Sequence, residues 1–172
     1  MEDVYEDVFW PEDAVFLERN SRDFIGRIHR INVNAEAVCE TLQNSPHGNS
    51  SQNSTLILVK RVFYPKCNPS RPNYDAYRTP EGGYGGLLSA VFQSEADAIK
   101  FYDAIETSKG PSLGTNFTLT SPYTILAHYT ELEWAAKFGV ERSLVRISVG
   151  LEEKDTLVNI FTKALGAIDD LK

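Results

Sequence analysis

The sequence predicts an α+β domain, in which a mainly antiparallel sheet of about four strands carries helices packed on one face. Three observations predict it. Short apolar segments of four to nine residues alternate with amphipathic stretches of helical period. Their order is α, β, β, α, β, α, β, α. The first two strands have no helix between them, which makes them antiparallel neighbours rather than a crossover pair.

The first segment reads as a long helix. Phe24, Ile28, Ile31, Ala35, Val38 and Leu42 recur at steps of three and four, so they share one face. Pro11, Glu12 and Asp13 suit a first turn, where proline lacks no needed donor and acids meet the positive end of the dipole. Residues 44–54 hold Asn, Ser, Gly and Pro without an apolar or formally charged residue, and read as a surface loop. Thr55 to Phe63 is apolar and β-branched, and reads as a strand. Pro65 to Gly85 reads as a second, irregular connection with Tyr74, Tyr77 and Tyr84 interleaved. Its Gly82-Gly83-Tyr84-Gly85-Gly86 run lacks the spacing of a dinucleotide fingerprint and leads into a strand. Such a run lets backbone pass close to another backbone or a ligand.

Leu87 to Phe92 is the next strand. Ser94 and Asp97 make a capping box for a helix that Gly110 and Pro111 would end. Ser112 to Thr120 reads as a short strand closed by Ser121-Pro122. Thr130 and Glu133 form a second capping box, heading a short helix that Gly139 stops. Leu144 to Val149 alternates as a strand. The last helix starts near Glu153, with Leu157, Ile160, Phe161, Ala164, Leu165, Ile168 and Leu171 inward.

Composition narrows the function. The chain has 172 residues and 42% hydrophobic content, enough for one domain with a core. A net charge of −7 disfavours nucleic acid as a partner. No apolar run is long enough to span a membrane, and Met1 to Trp10 is acidic and aromatic rather than leader-like, so a cytoplasmic protein is expected. Cys39 and Cys67 are neither a C-x-x-C pair nor a dense framework, and read as free thiols in a reducing compartment. The N-x-[ST] matches at Asn49, Asn53 and Asn116 are then chance. His29, His47 and His128 lack metal-ligand spacing, and no Walker or G-x-S-x-G motif is present. The acid pairs Glu12–Asp13, Glu152–Glu153 and Asp169–Asp170 read as helix-end or surface charge.

Arg146 stands out, lying mid-strand in Leu144-Val145-Arg146-Ile147-Ser148-Val149. A guanidinium beside a core strand needs an anion or a buried acceptor, and its planar fork suits a carboxylate. From alternation alone, the solvent face of an edge strand is the simpler placement.

Taken together, five segments resemble a known family. Residues 143–152 (SLVRISVGLE) resemble the R-[IL]-S-x-G-[IL]-E segment of the Cys/Met-metabolism enzymes that use pyridoxal phosphate, the trans-sulfuration family. Ser112-Leu113-Gly114 is similar to its S-L-G segment, and Gly82 to Ser89 to its G-[FY]-G-G-[ML]-[LVI]-S strand start. Val62-Phe63-Tyr64-Pro65 and Asn34-Ala35 resemble its V-x-Y-P and N-A segments. Order and spacing hold from about Phe24 to Leu171, and the likeness is greatest to the fungal-type cystathionine γ-synthase branch.

The resemblance implies a fold-type I C-terminal domain in which Arg146 grips the substrate α-carboxylate and Ser112 and Leu113 line the same site. It implies γ-replacement on an O-acyl-homoserine by cysteine, giving cystathionine. Pyridoxal 5′-phosphate is the implied cofactor of the full-length enzyme, but none of the eight lysines here sits in the family's serine/threonine-rich cofactor motif. Residues 1–172 are therefore expected to be one domain, the C-terminal part of a larger enzyme, with 1–23 a helix or linker to a missing large domain. That domain, the amino-acid substrate and further copies of the full-length chain are the expected partners. A stand-alone, non-catalytic α+β interaction module is the competing expectation. A sulfhydrylase or C–S lyase domain is another, since relatives share the arginine and serine. Pro111 and Thr115 depart from the family pattern around S-L-G.

Overall fold

The computed structural model describes residues 8–44 and 58–168. Two helices open the chain, α1 (Pro11–Ser21) and α2 (Phe24–Gln43), followed by β1 (Val59–Phe63) and α3 (Arg71–Tyr77). Then come β2 (Leu87–Phe92), α4 (Glu95–Ala104), β3 (Ser108–Lys109), β4 (Leu119–Ser121), α5 (Tyr123–His128) and α6 (Leu132–Ala136). The strand β5 (Leu144–Ser148) and the helix α7 (Lys154–Gly166) complete the fold. The strand order is β1-β2-β5-β4-β3. All pairs are antiparallel except β3–β4.

Strand alternation divides the sheet into two faces. Leu88, Ala90 and Phe92 of β2, with Val145 and Ile147 of β5, join one core cluster. Against them pack Ala35, Val38 and Leu42 of α2, Ala98 and Phe101 of α4, and Leu157, Phe161 and Ala164 of α7. Aromatic rings knit this layer: Phe92 and Phe101 lie 4.7 Å apart by centroid, and Phe101 and Phe161 6.1 Å. Leu144, Arg146 and Ser148 alternate to the opposite face of β5.

The expected α+β fold is the observed one, and the antiparallel first pair of strands is present as β1 and β2. Ser94 caps α4 as its sequence pattern requires, its Oγ accepting the Asp97 N–H at 3.1 Å, a contact worth about 1 kcal/mol. The last helix begins after Glu153 and buries the expected stripe up to Ile168. Leu171 and Asp169–Asp170 lie outside the described residues, as do Thr55 to Ile57 of the first expected strand.

Several expectations are corrected. The opening helix is two helices, broken at Arg22–Asp23. The α2 stripe is buried only in its second half, since Phe24 and Ile28 remain about half exposed and α1 buries nothing. The irregular Pro65–Gly85 stretch contains α3, which Pro72 in its first turn and the Arg71–Asp75 ion pair support. The helix from Ser94 ends at Ala104, not at Gly110, because Ile105 turns extended to enter the core and the chain then pairs with β4.

Downstream, Ser112 to Thr118 is not a strand, since only Leu119–Ser121 pairs. Side chains take the N–H groups of Gly114 and Thr118 that a ladder would use. The helix α5 follows where the sequence showed only a Ser-Pro stop. The capping box at Thr130 and Glu133 does not form: Glu131 is the cap position of α6 and makes no side-chain cap bond. Gly139 stops that segment with φ +77°, as expected.

Candidate functional site around Arg146

The strand β5 is central, paired to β2 on one side and β4 on the other. Arg146 is therefore not on an edge strand. Its register partners are Ser89 of β2 and Ser121 of β4. Residues directly opposite in a ladder point to the same face, so a polar row Ser89–Arg146–Ser121 crosses the sheet. Among the described residues, Ser121 Oγ is buried without a hydrogen-bond partner, and so is Thr124 Oγ1 at the second position of α5.

Arg146 is half-buried as a residue, and its guanidinium points toward the loop that precedes β4. Its Nη2 donates to the Pro111 carbonyl and, at 3.4 Å, to the Ser112 carbonyl. Its carbon lies 4.8 Å from the centroid of the Tyr123 ring, a cation–π contact. Tyr123 in turn meets His128 edge-on at 6.0 Å, and His128 Nδ1 lies 2.8 Å from Glu131 Oε1. Among the described residues no carboxylate pairs with Arg146. The contacts that orient its guanidinium among the described residues are thus two carbonyls and a ring.

The residues around the arginine build that orientation. Ser148, two positions along β5, accepts the Gly114 N–H at 2.9 Å, and Gly114 adopts φ +74° to present it. Glu152 accepts from Thr118 N at 2.6 Å and from Thr118 Oγ1 at 2.9 Å. Thr118 Oγ1 accepts from Gly150 N at 3.0 Å, and Leu151 N donates to the Asn116 carbonyl at 2.8 Å. From α2, the buried Asn34 Nδ2 donates to the carbonyls of Gly150 and Glu152 at 3.1 and 2.9 Å. The loop from Pro111 to Thr118 is thereby fastened to the end of β5 at several points.

The glycine run also acquires its reason. A Cβ on Gly86 would stand 2.3 Å from Ile31 Cγ2, and one on Gly83 would stand 2.2 Å from Asn32 Cγ. Asn32 Oδ1 accepts the Gly85 N–H at 2.9 Å, and Tyr64 Oη donates to the Gly85 carbonyl at 3.0 Å. The backbone does run close to another element, and that element is α2.

Of the three residues singled out in the sequence, Arg146 and Ser112 come together, through the Ser112 backbone carbonyl. Leu113 is 57% exposed beside them. Sequence reasoning missed that Ser89, Ser121 and Tyr123 neighbour Arg146, a proximity that depends on strand register and on the unforeseen α5. It quoted Asn34, Ser148 and Glu152 as motif residues without seeing what they fasten. Replacing Ser148 by Ala is expected to cost about 1 kcal/mol and to speed amide exchange at Gly114 by about fivefold. Hydrogen exchange read residue by residue checks this, and an unchanged Gly114 would show that the loop is held by other means.

The domain has the fold of the fold-type I pyridoxal-phosphate enzymes. It superposes on a cystathionine gamma-lyase from Lactobacillus plantarum complexed with L-serine, with TM-score 0.75 at 20% identity over 94% of this chain and 40% of that one. It superposes also on a cystathionine gamma synthase from Xanthomonas oryzae pv. oryzae in complex with aminoacrylate and cysteine, with TM-score 0.72 at 22% identity over 87% and 36%. The chain belongs to the Cys/Met metabolism PLP-dependent enzyme family, whose sequence profile matches residues 5–166. It is similar to the cystathionine gamma-synthase of Neurospora crassa, 58% identical over 165 residues that cover 96% of this chain and 25% of that protein. The cystathionine gamma-synthase of Saccharomyces cerevisiae is 46% identical over 95% of this chain and 25% of its own length. The chain thus spans about a quarter of the length of these curated relatives.

Proposed function

We propose that this chain is the substrate-carboxylate-binding C-terminal domain of a cystathionine γ-synthase. On this reading Arg146 receives the α-carboxylate of the O-acyl-homoserine, with Ser112 and Leu113 beside it. The observation that supports it most is the state of Arg146: half-buried on a central strand, aimed by two carbonyls and a ring, and without an acid partner among the described residues. A guanidinium whose protein partners are carbonyls and a ring is left able to take an anion. A guanidinium fork held in place fixes a carboxylate in position and angle, which sets the bond at Cα for reaction.

The residues of this chain fit the amino acid rather than the cofactor. Lys60, Lys66 and Lys163 are paired with Glu141, Glu36 and Glu106, and no lysine is among the groups that touch Arg146. Pyridoxal phosphate supplies the electron sink for this family's chemistry. The reading assigns its lysine and phosphate contacts to the larger part of the enzyme, which this quarter does not include. It places the whole enzyme in the cytoplasm as a homo-oligomer. No helix among the described residues is long and apolar enough to cross a membrane.

A segment exchange tests the proposal. The matching part of the Neurospora crassa enzyme is replaced by this chain, and the chimera is assayed with O-acyl-homoserine plus cysteine, with O-acyl-homoserine plus sulfide, and with cystathionine alone. Cystathionine formation as the dominant activity is the expected result. Dominant use of sulfide or cleavage of cystathionine would overturn the synthase reading in favour of a sulfhydrylase or a lyase. A folded, cofactor-loaded chimera without any of these activities would favour the non-catalytic interaction module.

A further inference from the structure

The two cysteines take no part in the site at Arg146, yet the fold brings them together. Cys39 lies in the core-facing half of α2, buried, and Cys67 lies exposed in the turn after β1. Their sulfurs are 3.5 Å apart across a sequence separation of 28. Cys67 Sγ also lies 3.7 Å from Gln43 Oε1, one turn beyond Cys39 on α2. We propose that Cys39 and Cys67 are a site of reversible oxidation, closing an intradomain disulfide in response to hydroperoxides.

The geometry supports closure. A disulfide bond of about 2.05 Å requires the sulfurs to approach by about 1.5 Å, within reach of a side-chain rotation at the exposed partner. Pairs of this kind in reducing compartments are transient and sensing rather than structural. Exposure also sets the order of events. Cys67 meets the oxidant first, while Cys39 is shielded by the core. Burial, followed by the hydrogen bond to Cys67, pushes the Cys39 thiol up to about 12, so it stays protonated and is the less reactive of the two toward a hydroperoxide.

The chemistry balances in two steps. The Cys67 thiol and a hydroperoxide give Cys67 sulfenic acid and the corresponding alcohol or water, the peroxide O–O bond breaking as the S–O bond forms. The Cys39 sulfur then attacks the Cys67 sulfur. The S–S bond forms, the S–O bond breaks, and the Cys39 proton leaves with the hydroxyl as water. A thiol reductant returns both thiols, being itself oxidised to a disulfide. The closed form joins α2 to the end of β1 and removes chain entropy from the unfolded state.

The experiment uses the full chain treated with a modest excess of hydrogen peroxide, then alkylated and mapped by mass spectrometry without reduction. The expected result is loss of two hydrogen atoms, a linked peptide pair containing Cys39 and Cys67, and reversal by dithiothreitol. A rise in Tm of about 5–10 °C should accompany closure. In Cys39→Ala, dimedone should trap Cys67 sulfenic acid. In Cys67→Ser, whose substitution is at an exposed position, peroxide should leave Cys39 alkylatable and Tm unchanged. A wild-type chain in which Cys67 proceeds to sulfinic acid, or crosslinks two chains, while Cys39 stays alkylatable would overturn the proposal.

Discussion

Arg146→Ala, placed in the chimeric enzyme, is expected to lower kcat/KM for the amino-acid substrate by about 10²–10³, because a charge-assisted, two-pronged contact to a carboxylate is lost. The loss should appear in KM, where the contact serves substrate and transition state alike. It should appear in kcat as well, to the extent that a less firmly held amino acid presents the bond at Cα poorly. Arg146→Lys keeps the charge but not the fork and should recover only part of the loss. Folding offers no confounding explanation of comparable size. The Pro111 and Ser112 carbonyls released by the substitution lie in an exposed stretch, where water can replace the guanidinium. Steady-state kinetics beside a thermal melt of each variant decide the matter. Unchanged kcat/KM in Arg146→Ala would exclude the carboxylate role.

Gly150→Ala is expected to destabilise the domain by about 3 kcal/mol. A Cβ at this position would stand 2.5 Å from Phe117 C, 2.6 Å from Phe117 Cα and 2.7 Å from the Asn116 carbonyl oxygen. All three are backbone atoms, so no side chain can swing aside. The loop must move off β5, and it takes with it the Leu151 to Asn116 and Gly150 to Thr118 hydrogen bonds. Overpacking costs about 1–3 kcal/mol and each lost bond about 1 kcal/mol. Gly26→Ala is the internal comparison: it lies in α2 with nothing within 4 Å of the added carbon. It should stabilise by about 0.5–1 kcal/mol through helix propensity alone. Urea titration of the two variants gives midpoints that should move in opposite directions. A Gly150→Ala midpoint within error of the wild type would show that the loop is not locked against the strand.

Much of the fold was legible because its signals are local. The strand β5 shows in its alternation, α7 in its apolar stripe, and the head of α4 in Ser94 three residues before Asp97. The same pattern at Thr130 and Glu133 misled, since a capping box needs the chain to enter the helix at its first residue, and here the helix starts at Leu132 instead. The stripe on α2 misled in part as well. Periodicity marks the apolar face of Phe24 and Ile28, but burial requires a partner, and the described fold brings one against α2 from Ile31 onward, with full burial from Asn34.

For the candidate site, the sequence by itself determined that Arg146 lies on a strand and that an S-L-G segment precedes it. Those are properties of residues near one another in the chain. Only the tertiary structure decided that β5 is central, that Ser89 and Ser121 flank the arginine, and that Tyr123 covers its face. It also decided that the Pro111–Ser112 carbonyls aim the guanidinium and that Ser148 and Glu152 fasten the loop that carries them. These contacts join segments up to 57 positions apart, and strand register sets them. A one-residue slip of β5 would turn every side chain on it to the other face and leave each local pattern in the sequence unchanged.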